Sequence, residues 1–234
     1  LGGALPKAIT VFEVRENISS KDVYDKLKGF SLARGSLEAF GRKFTLGVRV
    51  VELEGGESEV SGVYEEVTPH SLSLDSESVK LPRYIRINFH FTWLRQGIFL
   101  LVASGKRNGM RVSSTFSQAL FERPDGIMPV YLPPQRLREL YMVDAEPRQV
   151  IFTGLREVAG VDTVVLYGKA LSQSTLLKRY MQVGQEKYVV FKTEKGLLGA
   201  SVGGLILAFS KLDEDEFRQF VIEKVIPRVE PLPV

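Results

Sequence analysis

Residues 196–210 read GLLGASVGGLILAFS, and two folds compete for them. Gly199, Ser201 and Gly203 satisfy G-x-S-x-G, the nucleophile elbow of serine hydrolases, which sets a serine on a strained strand-to-helix turn of an α/β sheet. That chemistry needs histidine and acid partners later in the chain. Both histidines, His70 and His90, precede Ser201, only 33 residues follow it, and LILAFS is too short and β-like for the helix after the elbow. The same residues read well as a hairpin, with LLGASV and LILAFS as strands and Gly203-Gly204 supplying positive φ in a tight two-residue turn. The hairpin removes the nucleophile and points to antiparallel sheet.

Working outward, ITVFEV at 9–14 reads as a strand, and Ser19 or Ser20 caps a short helix, KDVYDKLKGF, that Gly29 can end. FTLGVRVVELE (44–54), a GG turn and SEVSGVYEEV (58–67) form a hairpin by their alternation. RYIRINFHFTW (83–93) alternates best: Ile85, Ile87, Phe89, Phe91 and Trp93 share one face, while Tyr84, Arg86, Asn88, His90 and Thr92 share the other. GIFLLVAS (97–104) is apolar on both faces, as a central strand is. The basic stretch GKRNGMR then reads as a turn leading into helix SSTFSQALF (113–121), with Ser113 as its N-cap.

Pro124, Pro129, Pro133, Pro134 and Pro147 surround one short helix, QRLRELYM (135–142), and mark the domain boundary. Beyond them come strands RQVIFTGL, DTVVLYG and KYVVFKT, a helix SQSTLLKRYMQVG capped by Ser172, the hairpin, and helix DEDEFRQFVIEKVI with Asp213 and Glu216 at capping-box spacing. The expected fold is α+β, with mainly antiparallel sheets and packed helices. It divides into an α+β unit over 1–123 with an inserted acidic hairpin, a Pro-rich connector over 124–148 and a second α+β unit over 149–234. TVFEV, a serine cap, a helix and Gly29 parallel TVVLYG, Ser172, a helix and Gly184, so the order of elements points to an internal duplication.

Composition narrows the function classes. The 234 residues are 44% hydrophobic, enough for a real core, and the longest apolar runs fall far short of the roughly 20 residues of a membrane helix. The start, LGGALPKAITV, carries one lysine and no apolar core of signal-peptide length, so the expectation is a cytoplasmic protein without membrane contact. Zero cysteines exclude disulfides and thiolate chemistry, and two histidines argue against a histidine metal site. No cofactor is expected. Three asparagines and no cysteine fit a thermophile.

The net charge of +3 says little, but its distribution says more. Val50 to Val79 holds eight acids (Glu52, Glu54, Glu57, Glu59, Glu65, Glu66, Asp75 and Glu77) and no lysine or arginine. Lys80 to Phe121 holds Lys80, Arg83, Arg86, Arg95, Lys106, Arg107 and Arg111 and no carboxylate in 42 residues. One reading is an anion-binding surface. Arg83, Arg86, Lys106, Arg107 and Arg111 would meet phosphates, Tyr84 and His90 would stack, and Ser113 would sit at a helix N-terminus that favours an anion. The other reading has the acidic hairpin beside the basic strand, neutralising it through cross-strand pairs.

For catalysis the candidates are Glu65, Glu66, Asp75 and His90, and no spacing brings two carboxylates and a base together. The expectation is a non-enzymatic protein that binds DNA or RNA, or associates with nucleoprotein, through residues 80–111. The alternatives are a homodimer or other protein-interaction scaffold joined through sheet edges, and an enzyme on a phosphorylated small molecule held by the basic stretch.

Overall fold

The computed structural model describes residues 6–74, 77–142, 145–156 and 160–230, with backbone alone at Leu74 and Glu77. Asp75, the Glu77 side chain, connector residues 143 and 144, and the tail prolines Pro231 and Pro233 lie outside the described residues. The fold is α+β with mostly antiparallel sheet. It begins with β1 (Lys7–Val14), α1 (Ser20–Leu27), β2 (Ser31–Ala39), β3 (Arg42–Gly55), β4 (Glu59–Leu74), β5 (Glu77–Leu94), β6 (Gly97–Val102) and α2 (Lys106–Phe121). A short β7 (Ile127–Pro129) leads to α3 (Pro134–Met142), β8 (Glu146–Thr153), β9 (Thr163–Tyr167), α4 (Thr175–Val183), β10 (Gln185–Thr193), β11 (Gly196–Ser201), β12 (Leu205–Ala208) and α5 (Glu214–Phe220). Among the described residues no helix is long and apolar enough to cross a membrane. The chain gathers into two compact units: the first takes residues 14–103 and 108–127, the second the described residues of 1–13, 104–107 and 128–234.

In the first unit the strands order β2-β3-β4-β5-β6, each antiparallel to its neighbour. The alternation of β5 does what its pattern dictates. Ile87, Phe89 and Phe91 are buried, and the Phe116 ring of α2 packs 4.7 Å from Phe89, 5.8 Å from Phe91 and 5.9 Å from Tyr64, centroid to centroid. Such aromatic pairs contribute about 0.5–1.5 kcal/mol each beyond the area they bury. Ser19 caps α1 by accepting from the Asp22 N–H, and Lys26 Nζ donates to Leu120 O at 2.6 Å, which sets α1 beside α2. Trp93 is half-buried, with its indole N–H donating to Ile18 O. β2, which the sequence pattern does not announce, adds an exposed outer strand.

The basic stretch expected as a turn is helix instead. α2 begins at Lys106, and its buried residues Gly109, Val112, Ser113, Phe116, Ser117 and Leu120 form one continuous stripe at helical spacing. Gly109 inside that stripe costs about 1 kcal/mol against alanine, which packing of the rest outweighs. Ser113 is therefore mid-helix and 2% exposed, donating to Met110 O rather than capping an N-terminus.

In the second unit the strands order β1-β12-β11-β10-β8-β9. One face buries Val150, Phe152, Val189, Phe191, Leu198 and Ile206, against which α3 brings Leu137 and Tyr141 and α4 brings Tyr180. Residues 196–208 form the hairpin β11–β12, with a three-residue loop where two were expected. Ala200 pairs with Ile206, the Gly204 N–H donates to Ser201 O, and Gly204 alone in the loop takes positive φ, +71°. That is a turn closed by a left-handed glycine. A Cβ at Gly204 would also stand 2.5 Å from Val130, so glycine is required on two grounds. Ser201 Oγ accepts from the Leu205 N–H at 3.1 Å, a turn role. α4 is capped by Ser174, accepting from Leu176, after a 3-10 turn over Leu171–Gln173 holds the expected cap Ser172. α5 is capped by Asp213 and runs on through a π-helical segment, Val221–Val225.

Candidate nucleic-acid interface

The first unit's acidic and basic blocks lie side by side. β4 and β5 pair from Glu59 opposite Thr92 to Leu74 opposite Glu77, and this register sets Glu65 directly opposite Arg86. On that face, away from the helices, Arg49 donates from Nε to Glu65 Oε1 at 2.6 Å, Arg86 Nε stands 3.5 Å from Glu65 Oε2, and Arg86 also pairs with Glu52. Glu52 reaches this position from a bulge in β3, where its φ is +51°. Glu66, the next residue along, necessarily points to the opposite face. There it is 3% exposed and meets Arg111 of α2 at 2.9 Å and Arg34 at 3.5 Å. Burial raises the Tyr64 phenol above its ordinary range beside this pair.

This arrangement distributes the sequence candidates over both faces. Tyr84, Arg86 and His90 share the helix-free face, with His90 opposite Ser61. Arg83 is one residue out of phase and exposed, opposite Thr68. Arg111 lies on the helix side, bound to Glu66, and Ser113 is enclosed within α2. Lys106 and Arg107 are exposed in the first turn of α2 and belong to the second unit. The catalytic alternatives are separated likewise: Glu65 and Glu66 face opposite ways, each held by arginine.

What remains on the helix-free face is a cross-strand row, Tyr84–Val67–Gly47–Ala33, flanked by the Arg86–Glu65–Arg49 row. Tyr84 is 49% exposed. A groove of about 360 Å³ is lined by this row with Lys43, Thr45 and Arg49. Gly47 is its floor: φ is +141°, and a Cβ there would lie 2.1 Å from Leu32 O. Sequence reading named Tyr84 and Arg86 but not Arg49 or Gly47, because their adjacency depends on the β3–β4 register.

The second unit has a comparable helix-free face. Tyr167, Gln149, Val190 and Gly199 line up across β9, β8, β10 and β11, and Phe209, just past β12, lies against Leu197 and Gly199. A groove of about 530 Å³ lies among Tyr167, Val190, Leu197, Phe209, Arg148 and Lys169. Tyr188 shares this face, and burial pushes its phenol up to about 12. Among the described residues no group of three or more histidines and acids could hold a metal ion. Comparison of the chain with protein-family models and with curated proteins finds no match.

Proposed function

We propose that the chain is a non-enzymatic nucleic-acid-binding protein that lays a strand on the helix-free face of its first unit. The observation that carries this reading is Tyr84, half-exposed beside an open groove and next to the row that holds two half-exposed arginines, Arg86 and Arg49. The carboxylate beneath those arginines, Glu65, is 9% exposed, while the Arg49 and Arg86 side chains are 54% and 49% exposed. A phosphate approaching from solvent meets two half-exposed guanidinium groups, with the exposed Glu52 carboxylate beside Arg86, and the Tyr84 ring offers any base a stacking surface worth about 1–3 kcal/mol. The internal ion pairs keep the number of phosphate contacts small, so the salt dependence is shallow for a nucleic-acid binder. Tyr84→Ala should weaken single-strand binding roughly 5- to 100-fold; unchanged binding would remove the interface from this face.

We further take the chain as the product of an internal duplication and the protein as cytoplasmic. The repeated order supports the first: strand, serine-capped helix, strands and helix occur from β1 to α2 and from β9 to α5, with Ser19 and Ser174 as the caps. A second functional reading, a homodimeric scaffold, is supported by β2. Seven of its nine residues are exposed, and Phe40 at the tip that follows is 80% exposed; an outer strand of this kind offers unpaired backbone groups to a second copy. A dimer by sedimentation that dissociates on Phe40→Asp, without nucleic-acid binding, would favour the scaffold.

A further inference from the structure

We infer a second strand-binding surface, on the second unit, where Tyr167 and Phe209 stack on unpaired bases and Lys169, Lys192 and Arg148 meet the phosphates of a single-stranded nucleic acid. It rests on the nucleic-acid reading of the first unit but on independent residues. Tyr167 is 83% exposed and Phe209 43% exposed, so both rings present a face to solvent. They stand at the two ends of a row crossing four strands, about 14 Å at the usual interstrand spacing, with Gln149 and Val190 between them. Gly199 makes the Phe209 end: a Cβ there would stand 3.1 Å from the Phe209 ring and 2.2 Å from the Tyr188 hydroxyl.

Charge selects the occupant. Arg148 is fixed by Lys169 O at 2.7 Å and Glu146 at 2.8 Å, so it is a positioned donor rather than a loose one. Lys169 lines the groove exposed, and Lys192, also exposed, is carried to the same face by its pairing with Leu197. Among the described residues that line the groove, Arg148 and Lys169 are cations and none is an acid, which suits a polyanion with apolar faces. Flat aromatic surfaces flanked by cations and without a deep pocket are the chemistry of sequence-tolerant single-strand binding.

The test is a titration of labelled oligo(dT) and oligo(U) against the whole protein, Tyr84→Ala, and the double variant Tyr167→Ala/Phe209→Ala, with ultraviolet cross-linking to locate the contacted peptides. The exposed rings can be removed without disturbing the core, and an unchanged circular-dichroism melt checks this. The inference expects the double variant to lose 10-fold or more in affinity and a cross-link on a peptide containing Tyr167 or Phe209. If Tyr84→Ala weakens binding while the double variant and its cross-links do not change, this surface is overturned and the first-unit interface stands. Loss in the double variant alone keeps this surface and overturns the other. No binding by the unaltered protein, or a dimer by sedimentation that the double variant dissociates, overturns this inference in favour of another occupant.

Discussion

Glu65 stands directly opposite Arg86 across β4 and β5, with Arg49 bound to the same carboxylate from β3 at 2.6 Å. Acidic and basic blocks that are neighbours in sequence thus pair across the sheet, Glu65 with Arg49 and Arg86, and Glu52 with Arg86. The pairing holds three long strands in register, and it also tempers whatever the arginines do to a ligand.

Removing the carboxylate separates those roles. Glu65→Gln leaves Arg49 and Arg86 with one less negative partner, so single-strand affinity should rise about 3-fold or more at low salt. Stability should fall by about 1 kcal/mol, since both arginines are half-exposed and screened. Denaturant unfolding followed by Trp93, the single tryptophan, reads the second effect on the same sample.

A buried ion pair in the second unit should matter more. Glu186 is 1% exposed, with Arg138 of α3 at 2.6 Å and the Tyr141 hydroxyl at 3.4 Å. Burial raises the Tyr141 phenol well beyond the ordinary tyrosine range. Arg138→Ala leaves the carboxylate enclosed without its cation, which costs about 3 kcal/mol. Arg138→Ala/Glu186→Leu should recover much of that loss. Circular-dichroism melts of the two variants provide the comparison.

Gly47 is a backbone requirement. Gly47→Ala places a methyl against Leu32 O, a contact with main chain that cannot rotate away, at a φ that alanine avoids. The β2–β3 ladder should separate locally, with loss of hydrogen-exchange protection over 31–49 and little change in the second unit.

Two groups give opposite pH signatures. Hydrogen bonding from Arg123 holds the Asp125 carboxyl at about 2, below its ordinary 3.8. Its contribution to stability is present above pH 4 and is lost as pH falls through 2. NMR titration of Arg123→Ala should return the midpoint towards 4. Tyr188, raised by burial to about 12 from 10, contributes stability that is present below pH 10 and is lost as pH climbs through 12. Alkaline absorbance titration should show Tyr188 among the late tyrosines, and Tyr188→Phe should remove the step near pH 12.

The legible parts of the fold were those written locally. β5 and the β11–β12 hairpin are plain in alternation and glycine placement, and the caps Ser19 and Asp213 in their position before apolar periods. The start of α2 was not legible, because Gly109 and the cations around it look like a turn until Phe116 and Val112 are seen to belong to one stripe. The site was half legible. Tyr84 and Arg86 show in the β5 pattern, but whether the acidic block neutralised them depended on a strand register set by sixteen cross-strand pairs. Tyr167, Arg148 and Phe209 meet only through pairing of strands far apart in the chain, and no local spacing announces them.

The most direct test is a binding isotherm of the unaltered protein with labelled single-stranded and double-stranded DNA and RNA across a salt series. The account predicts micromolar or tighter binding that favours single strands, with log affinity falling against log salt at a slope of about −2, the value for roughly three phosphate contacts on a single strand. No binding at low salt, or a preference for duplex, would contradict it and leave the sheet edges, read as contacts between proteins, as the working surfaces.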